Sequence, residues 1–196
     1  MLTARSHLVH RIRSRLPALL VSLSLCGLAP PAADAAQQPS QSDVEAVYLF
    51  DFGKFVRWPA GADQGPLTLC VASSASFADS LQKTVVNETI GARVLQVRRV
   101  IRPDDETGCA ILFIEAAQHL RSEDFLDAVA DRPTLTVSDE PDFLSHGGMI
   151  QFQLVERRVR FSVDLDAVNH ARLTMSSELL KVAVSVKGKM PEGGTE

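Results

Sequence analysis

The sequence predicts an α/β domain with three αβα layers, built on a largely parallel sheet with an antiparallel hairpin at one edge. Apolar runs of strand length alternate with helical patterns, and the run at 110–114 is apolar throughout, as in strands buried on both faces. Two alternating segments, 150–155 and 159–163, flank a short polar turn, which is typical of a hairpin.

The first 35 residues have the pattern of a secretory signal peptide. Arginines precede an apolar stretch at 16–28, and small residues then offer a cleavage site at Ala33-Asp34-Ala35. That stretch is too short for a permanent transmembrane helix. The proline pair that follows disfavours an uncleaved anchor, and the leucine before Cys26 disfavours a lipoprotein. We therefore expect export to the periplasm, with cleavage near Ala35.

Cleavage would leave about 160 residues, the usual size of one domain. The leader contains four arginines and one aspartate, so its removal lowers the formal net charge from −4 to −7. We expect a flexible lead-in at 36–43, one domain at 44–186 and a loose, Gly-rich tail at 187–196. An acidic chain of this kind is not expected to bind nucleic acid or anionic membranes.

Cleavage would also remove Cys26 and leave Cys70 and Cys109. Two cysteines in an oxidising compartment favour one disulfide, and closing a loop of about 40 residues is worth about 4 kcal/mol at most. Two buried free thiols are the alternative. A metal site is disfavoured, because two isolated cysteines without a matched histidine pair do not complete a tetrahedral set.

The first element is a helix that begins at a capping-box pattern, Ser42-Asp-Val-Glu45, and ends before Pro59. Asp51 falls within its apolar stripe, where an unpaired carboxylate is costly, so we expect it to pair with a cation or to lie at the core margin. The residues of the stripe recur at helical spacing and are Val44, Val47, Tyr48, Phe52, Phe55 and Trp58.

Downstream elements follow the same periodicities. The predicted strands are 67–71, 93–99, 109–114 and 134–137, with helices at 77–85 and 122–130. The hairpin comes next, and two helical pieces at 166–172 and 176–186 close the domain. A parallel sheet of this kind would make the strands that carry the two cysteines near neighbours.

Motifs for catalysis or cofactor binding are missing from the sequence. It has no nucleophile elbow, Walker loop, His-Glu-x-x-His or Cys-x-x-Cys. His119, His146 and His170 share no ligand spacing, so we expect no metal site. The acidic run Asp104-Asp-Glu106 resembles a fragment of a calcium loop, but the remaining ligands are missing and a solvated turn is the simpler interpretation. We therefore expect neither catalysis nor a cofactor.

Two features remain as binding candidates. Gly147-Gly148 offers backbone amides to an anion, although a turn that feeds the hairpin is the plainer explanation. Arg157, Arg158 and Arg160 form the densest basic cluster. At strand spacing Arg158 and Arg160 point to one face, where they would meet an acidic partner or protect the sheet edge from aggregation. Both uses stay open.

A family resemblance rests on seven segments in order. They are Val47-Tyr-Leu-Phe-Asp-Phe-Gly-Lys-Phe-Val-Arg-Trp-Pro59, Leu69-Cys-Val71, Gly108-Cys-Ala-Ile-Leu-Phe-Ile114, Leu135-Thr-Val-Ser-Asp139, Gly147-Gly-Met-Ile150, Val159-Arg-Phe-Ser-Val163 and Ser176-Ser-Glu-Leu-Leu180. Over roughly 44–183 the chain resembles the YfiR-like family of periplasmic proteins, which repress a membrane-bound diguanylate cyclase and so lower cyclic di-GMP.

The resemblance implies a disulfide between Cys70 and Cys109. The resemblance is not complete. The well-known member of the family has a second cysteine pair near the Gly-Gly turn and the hairpin, where this chain has Leu144, Ser145 and Gln151 instead. Redox switching through that second pair is therefore not implied for this chain.

The leading hypothesis is a non-catalytic periplasmic regulator that binds and inhibits a membrane signalling enzyme. The resemblance implies that the partner is the periplasmic part of an inner-membrane diguanylate cyclase or of another membrane sensor, and a homodimer is also considered. Arg158 and Arg160 are the candidate partner-binding residues. The alternative hypothesis is a sensor that holds a small ligand in a cleft at the strand ends.

Overall fold

The largely parallel α/β fold expected from the sequence is confirmed in a computed structural model that describes residues 39–62, 64–116 and 122–190. The signal peptide, His119 and residues 191–196 of the expected tail lie outside the described residues.

Helices and strands alternate along most of the described chain. The helices are α1 (Gln41–Phe55), α2 (Ala75–Val85), α3 (Ser122–Val129), α4 (Leu165–His170) and α5 (Ser177–Val182), with 3₁₀ helices at Pro103–Glu106 and Phe143–His146. The strands are β1 (Val56–Arg57), β2 (Leu67–Ala72), β3 (Thr89–Ile90), β4 (Arg93–Arg99), β5 (Ile111–Ile114), β6 (Leu135–Ser138), β7 (Ile150–Val155), β8 (Arg158–Asp164), β9 (Thr174–Met175) and β10 (Ser185–Lys187).

Among the described residues, eight strands form one sheet in the order β10-β8-β7-β6-β5-β2-β4-β3, and β1 pairs with β9 in a separate antiparallel ladder. The strands from β4 to β7 in this order are parallel. The β7–β8 hairpin is antiparallel and lies towards one edge, with Val155 opposite Arg158. The sheet thus switches from parallel to antiparallel pairing at β7.

Strand β10 corrects the expected end of the domain. Residues 185–187 were expected at the end of a helix and the start of a loose tail, but they pair in parallel with β8. The Val184 N–H donates to the Phe161 carbonyl at 2.8 Å, and Lys187 Nζ pairs with Asp164 Oδ2 at 2.8 Å. These contacts extend the sheet by one strand beyond the hairpin.

Helix α1 begins earlier than the capping-box pattern predicted. Ser40, rather than Ser42, is the N-cap: its Oγ accepts from the Asp43 N–H at 3.2 Å, while the Asp43 carboxylate accepts from the Ser40 N–H at 3.0 Å. Asp43 also accepts from Ser80 Oγ of α2 at 2.7 Å. Residues 41–43, expected in a flexible lead-in, are therefore helical because Asp43 completes a capping box that is also tied to α2.

Two hydrophobic clusters cover opposite faces of the sheet, because successive strand residues point to opposite sides. On β2, Leu69 and Val71 belong to the cluster that includes α1 and α2, while Cys70 and Ala72 belong to the cluster that includes α3. The sheet therefore lies between two helical layers, which is the three-layer arrangement expected from the sequence.

The predicted stripe faces the core at every position but one. Phe52 is buried, and Val44, Tyr48, Phe55 and Trp58 are partly buried against the core, whereas Val47 is 48% exposed. The buried face of α1 also includes Glu45, Ala46, Leu49 and Gly53. Small residues allow this contact: a Cβ on Gly53 would lie 2.5 Å from Ile90 Cδ1. The sequence analysis was therefore wrong for Val47 only, and it missed the small residues, such as Gly53, at which the helix backbone comes close to its neighbours.

Candidate functional site

The two cysteines are joined by a disulfide between Cys70 on β2 and Cys109, which precedes β5; their Cα atoms lie 5.6 Å apart. Parallel pairing of β2 with β5 brings the two residues together. Both are buried, and Arg98 Nη2 lies 3.4 Å from each sulfur while it donates to the Thr107 carbonyl. A buried disulfide within a hydrophobic cluster is a structural cross-link rather than an accessible redox centre.

The hairpin carries three exposed arginines. Arg158 and Arg160 lie on β8 and Arg157 lies in the turn, while the intervening Val159 is only 8% exposed and faces α1. Within the described part of the chain, none of the three guanidinium groups makes a hydrogen bond or an ion pair. Arg158 and Arg160, the predicted partner-binding residues, are therefore exposed and available to a partner.

A groove lies between the start of α1 and the tip of the hairpin, and we call it the hairpin groove. Val44, Leu154 and Val159 line its apolar part, Arg157 and Arg158 line its cationic part, and its volume is about 440 Å³. Leu154 is 57% exposed although it lies opposite Val159 on the α1 side of the sheet. An exposed large apolar side chain beside unpaired cations is a feature of interaction surfaces.

A second cavity, the carboxylate cavity, is lined by Glu45 of α1 and by Asp139 at the carboxyl end of β6, with Gln41, Gln151 and Gln153. Its volume is about 320 Å³. Glu45 is only 3% exposed and accepts from Gln41 Nε2 at 2.8 Å. Asp139 Oδ1 accepts from a backbone N–H at 2.8 Å. Two carboxyl groups thus line one small cavity, together with apolar side chains such as Phe152 and Val159, near the strand ends, where α/β folds commonly hold ligands.

Burial controls the electrostatics of the carboxylate cavity. Desolvation raises the pKa of Glu45 to about 7, the Gln41 hydrogen bond opposes this shift, and the neighbouring Asp139 and Glu115 reinforce it. Desolvation also raises the pKa of Asp139. Glu45 is a residue that the sequence analysis missed, because its position in a cap-like pattern suggested a solvated helix start. Its i, i+4 spacing to Leu49 was the signal that it shares the core-facing side.

The N-terminus of α2 lies near the same strand ends and already holds an anion. Glu115 Oε2 accepts from the backbone N–H of Ser74, the N-cap of α2, at 2.7 Å. A helix N-terminus favours negative charge, and here an internal carboxylate takes the position that a phosphate would occupy. The strand ends therefore favour a neutral or cationic ligand over an anionic one.

The Gly147-Gly148 pair is a turn rather than an anion cradle. The two N–H groups donate to the Leu144 and Phe143 carbonyls at 3.3 and 3.0 Å, so neither points at a ligand. A Cβ on Gly148 would lie 2.2 Å from the Phe143 ring. Close packing against an aromatic side chain therefore explains the second glycine.

Two residues of the acidic run, Asp105 and Glu106, form ion pairs within the protein. Asp105 accepts from the Arg102 N–H at 3.1 Å and pairs with its guanidinium, and the buried Glu106 pairs with Arg132 at 2.8 Å.

The exposed His146 and His170 border one shallow cavity. In the residues that the structure describes, no three His, Cys, Asp or Glu side chains are arranged to hold a metal ion. Nor does any described helix have the length and apolar character needed to cross a membrane.

Comparison with known proteins agrees with this architecture. The domain is similar to a solved structure, a conserved domain protein from Vibrio cholerae O1 biovar El Tor str. N16961, with a TM-score of 0.51 and 9% identity. The match covers 77% of this chain and 62% of that one, so this chain spans less than two thirds of its relative, and at this identity the likeness concerns the fold alone. A family model described as YfiR/HmsC-like matches residues 42–184. The chain belongs to the YfiR/HmsC-like family.

Proposed function

We propose that this protein is an exported, non-catalytic regulator that binds the periplasmic part of an inner-membrane diguanylate cyclase and inhibits it. Membership of the YfiR/HmsC-like family over residues 42–184 is the observation that carries the proposal, since it indicates a periplasmic regulator of diguanylate cyclase signalling. The buried disulfide is consistent with an oxidising compartment.

A protein of this kind controls its partner by binding one conformation better than another. Driving an equilibrium from 1:99 to 99:1 requires a preference of about 10⁴, or about 5.5 kcal/mol. A handful of well-placed contacts supplies that much energy at protein interfaces. The hairpin surface offers such contacts, because Arg158 and Arg160 are exposed and make no ion pair with a described residue.

Deleting the gene is expected to raise cyclic di-GMP and biofilm, and only in a strain that retains the repressed cyclase.

The charge-reversed variant R158E/R160E should behave like the deletion while it remains folded, because it replaces two cations on the docking face with carboxylates. Cyclic di-GMP measured by mass spectrometry in each strain, with the periplasmic level and the melting temperature of the variant, checks this.

The matched control is R99E, which changes an exposed strand arginine on β4, at the other end of the sheet. It should repress like the wild type. Unchanged cyclic di-GMP in the deletion strain would exclude the proposed function. Full repression by a folded R158E/R160E variant would instead place the interface elsewhere.

The second candidate function is a small-ligand sensor, which the carboxylate cavity favours. Glu45 and Asp139 face a space of about 320 Å³, within the usual size of ligand sites. A cross-linked pull-down from membranes separates the two functions, because a regulator of a cyclase should recover that cyclase and a free solute binder should recover no integral membrane partner.

A further inference from the structure

We propose that the hairpin groove receives an acidic segment of the partner protein that also carries an apolar side chain. Arg157 and Arg158 would pair with its carboxylates, while Val44, Leu154 and Val159 would contact its apolar group. The inference rests on the proposed function and names the kind of chain that the regulator recognises.

The apolar part of the groove is open to solvent. Leu154 is 57% exposed, although Val159, which lies opposite it in the hairpin, is only 8% exposed. Leu154 and Val159 belong to the hairpin and Val44 belongs to α1, so apolar side chains line the groove from both sides. Covering Leu154 with an apolar side chain of the partner would remove this exposed apolar surface from water and so favour the complex.

The arginines of the groove indicate that the partner segment contains acidic residues. Within the described residues, the Arg157 and Arg158 guanidinium groups have no carboxylate partner, whereas Arg102 and Arg132 each pair with one. A guanidinium group binds a carboxylate through two parallel hydrogen bonds, which gives both energy and orientation. A cationic rim on a protein with formal net charge −4 therefore selects an acidic segment.

The backbone of the hairpin turn supports a binding role for its side chains. Glu156 and Arg157 form a two-residue connection and both have positive φ, at 50° and 63°. Turns of this type favour Asn-Gly, because a long side chain in the left-handed region is strained. The chain thus keeps two long charged side chains where small residues would be more stable, and strained residues of this kind cluster at binding sites.

A protein segment fits these features better than a membrane surface does. A lipid headgroup would also pair with arginine, but a flat bilayer does not enter a groove between a helix and a hairpin. The acidic chain as a whole is also repelled by an anionic membrane. The apolar and cationic parts of the groove lie side by side, which matches a segment with alternating acidic and apolar residues.

The test is a peptide array that covers the periplasmic segments of all inner-membrane proteins of the producing organism, probed with the purified, disulfide-bonded mature protein. Bound peptides should be acidic with at least one large apolar residue, and binding should weaken with added salt. Two variants alter the groove: L154S removes its apolar contact, and E156N/R157G removes Arg157 while it gives the turn its favoured residues. Each should weaken binding about tenfold, and R99E should bind like the wild type.

The E156N/R157G variant best separates a binding role from a structural role. Its melting temperature should equal or exceed that of the wild type while its affinity for the peptides falls. If the bound acidic peptides come from a protein other than a cyclase, the result would support the inference about the groove and contradict the proposed function. Absence of bound peptides, a preference for basic peptides, or equal binding by the groove variants would overturn the inference. So would groove-dependent binding to phosphatidylethanolamine–phosphatidylglycerol vesicles in the absence of peptide binding.

Discussion

Removing the cross-link between Cys70 and Cys109 is expected to lower the free energy of unfolding by up to about 4 kcal/mol. The two residues are 39 positions apart, and the chain-entropy model gives about this value for a loop of that length. For a domain of this size the melting temperature should fall by roughly 10 °C. The effect is large because the whole stability of such a domain is typically about 5–15 kcal/mol.

Thermal and urea unfolding of the mature protein, with and without reductant, measures this loss. Reduction breaks the bond but leaves both sulfurs in the core, so it isolates the cross-link from side-chain packing. The C70A/C109A variant should lose at least as much stability and should not respond to reductant. Equal melting temperatures for the oxidised and reduced wild type would show that the bond contributes nothing to stability.

The stability of the folded protein is expected to fall as the pH rises from about 4.5 to about 7, because of Glu45. Burial raises the pKa of this carboxyl group from 4.5 to about 7, so between these values the folded state retains a proton that the unfolded chain has released. Where the folded state binds more protons, stability decreases with increasing pH. The total change from Glu45 is on the order of 3 kcal/mol.

Urea unfolding of the E45Q variant between pH 5 and pH 8 checks this expectation. The amide has no charge to bury, so the variant should be more stable than the wild type at pH 8 and should show a smaller pH dependence. Some dependence should remain, because burial also raises the pKa of Asp139. The matched control is D51N, which changes a half-exposed carboxylate of the same helix. A wild-type stability that is constant over this range would contradict the assignment.

Strands and their pairing were the most predictable part of the fold. The segment 93–99 was predicted as a strand with the bounds it has in β4, because alternating side chains report directly on a two-residue period. The expectation for Asp51 also holds: it lies at the core margin and pairs with Lys54 at 2.8 Å. Both inferences depend on neighbours in sequence, which a single chain shows well.

Features set by distant parts of the chain were less predictable. Gly53 of α1 packs closely against Ile90, and residues 185–187 form β10 by pairing with β8. Glu45 is buried by packing against strand ends that lie far along the sequence. The hairpin groove was missed for the same reason, since it joins the start of α1 to residues 154–159. Local periodicity contains no information on such juxtapositions.

The pairing of β1 with β9 has a consequence for the order in which the chain acquires its structure. Val56, directly after α1, pairs with Met175 near the other end of the described chain, and Phe52 packs against Phe152 and Phe161. The first helix therefore has no complete surface to cover until the last third of the chain is present. Contacts of such long sequence separation slow folding, because a large loop must close before they form. When the chain emerges from its N-terminus, α1 therefore cannot complete its packing until β7, β8 and β9 have also emerged. A truncation before Met175 would leave β1, which follows α1 directly, without its partner strand.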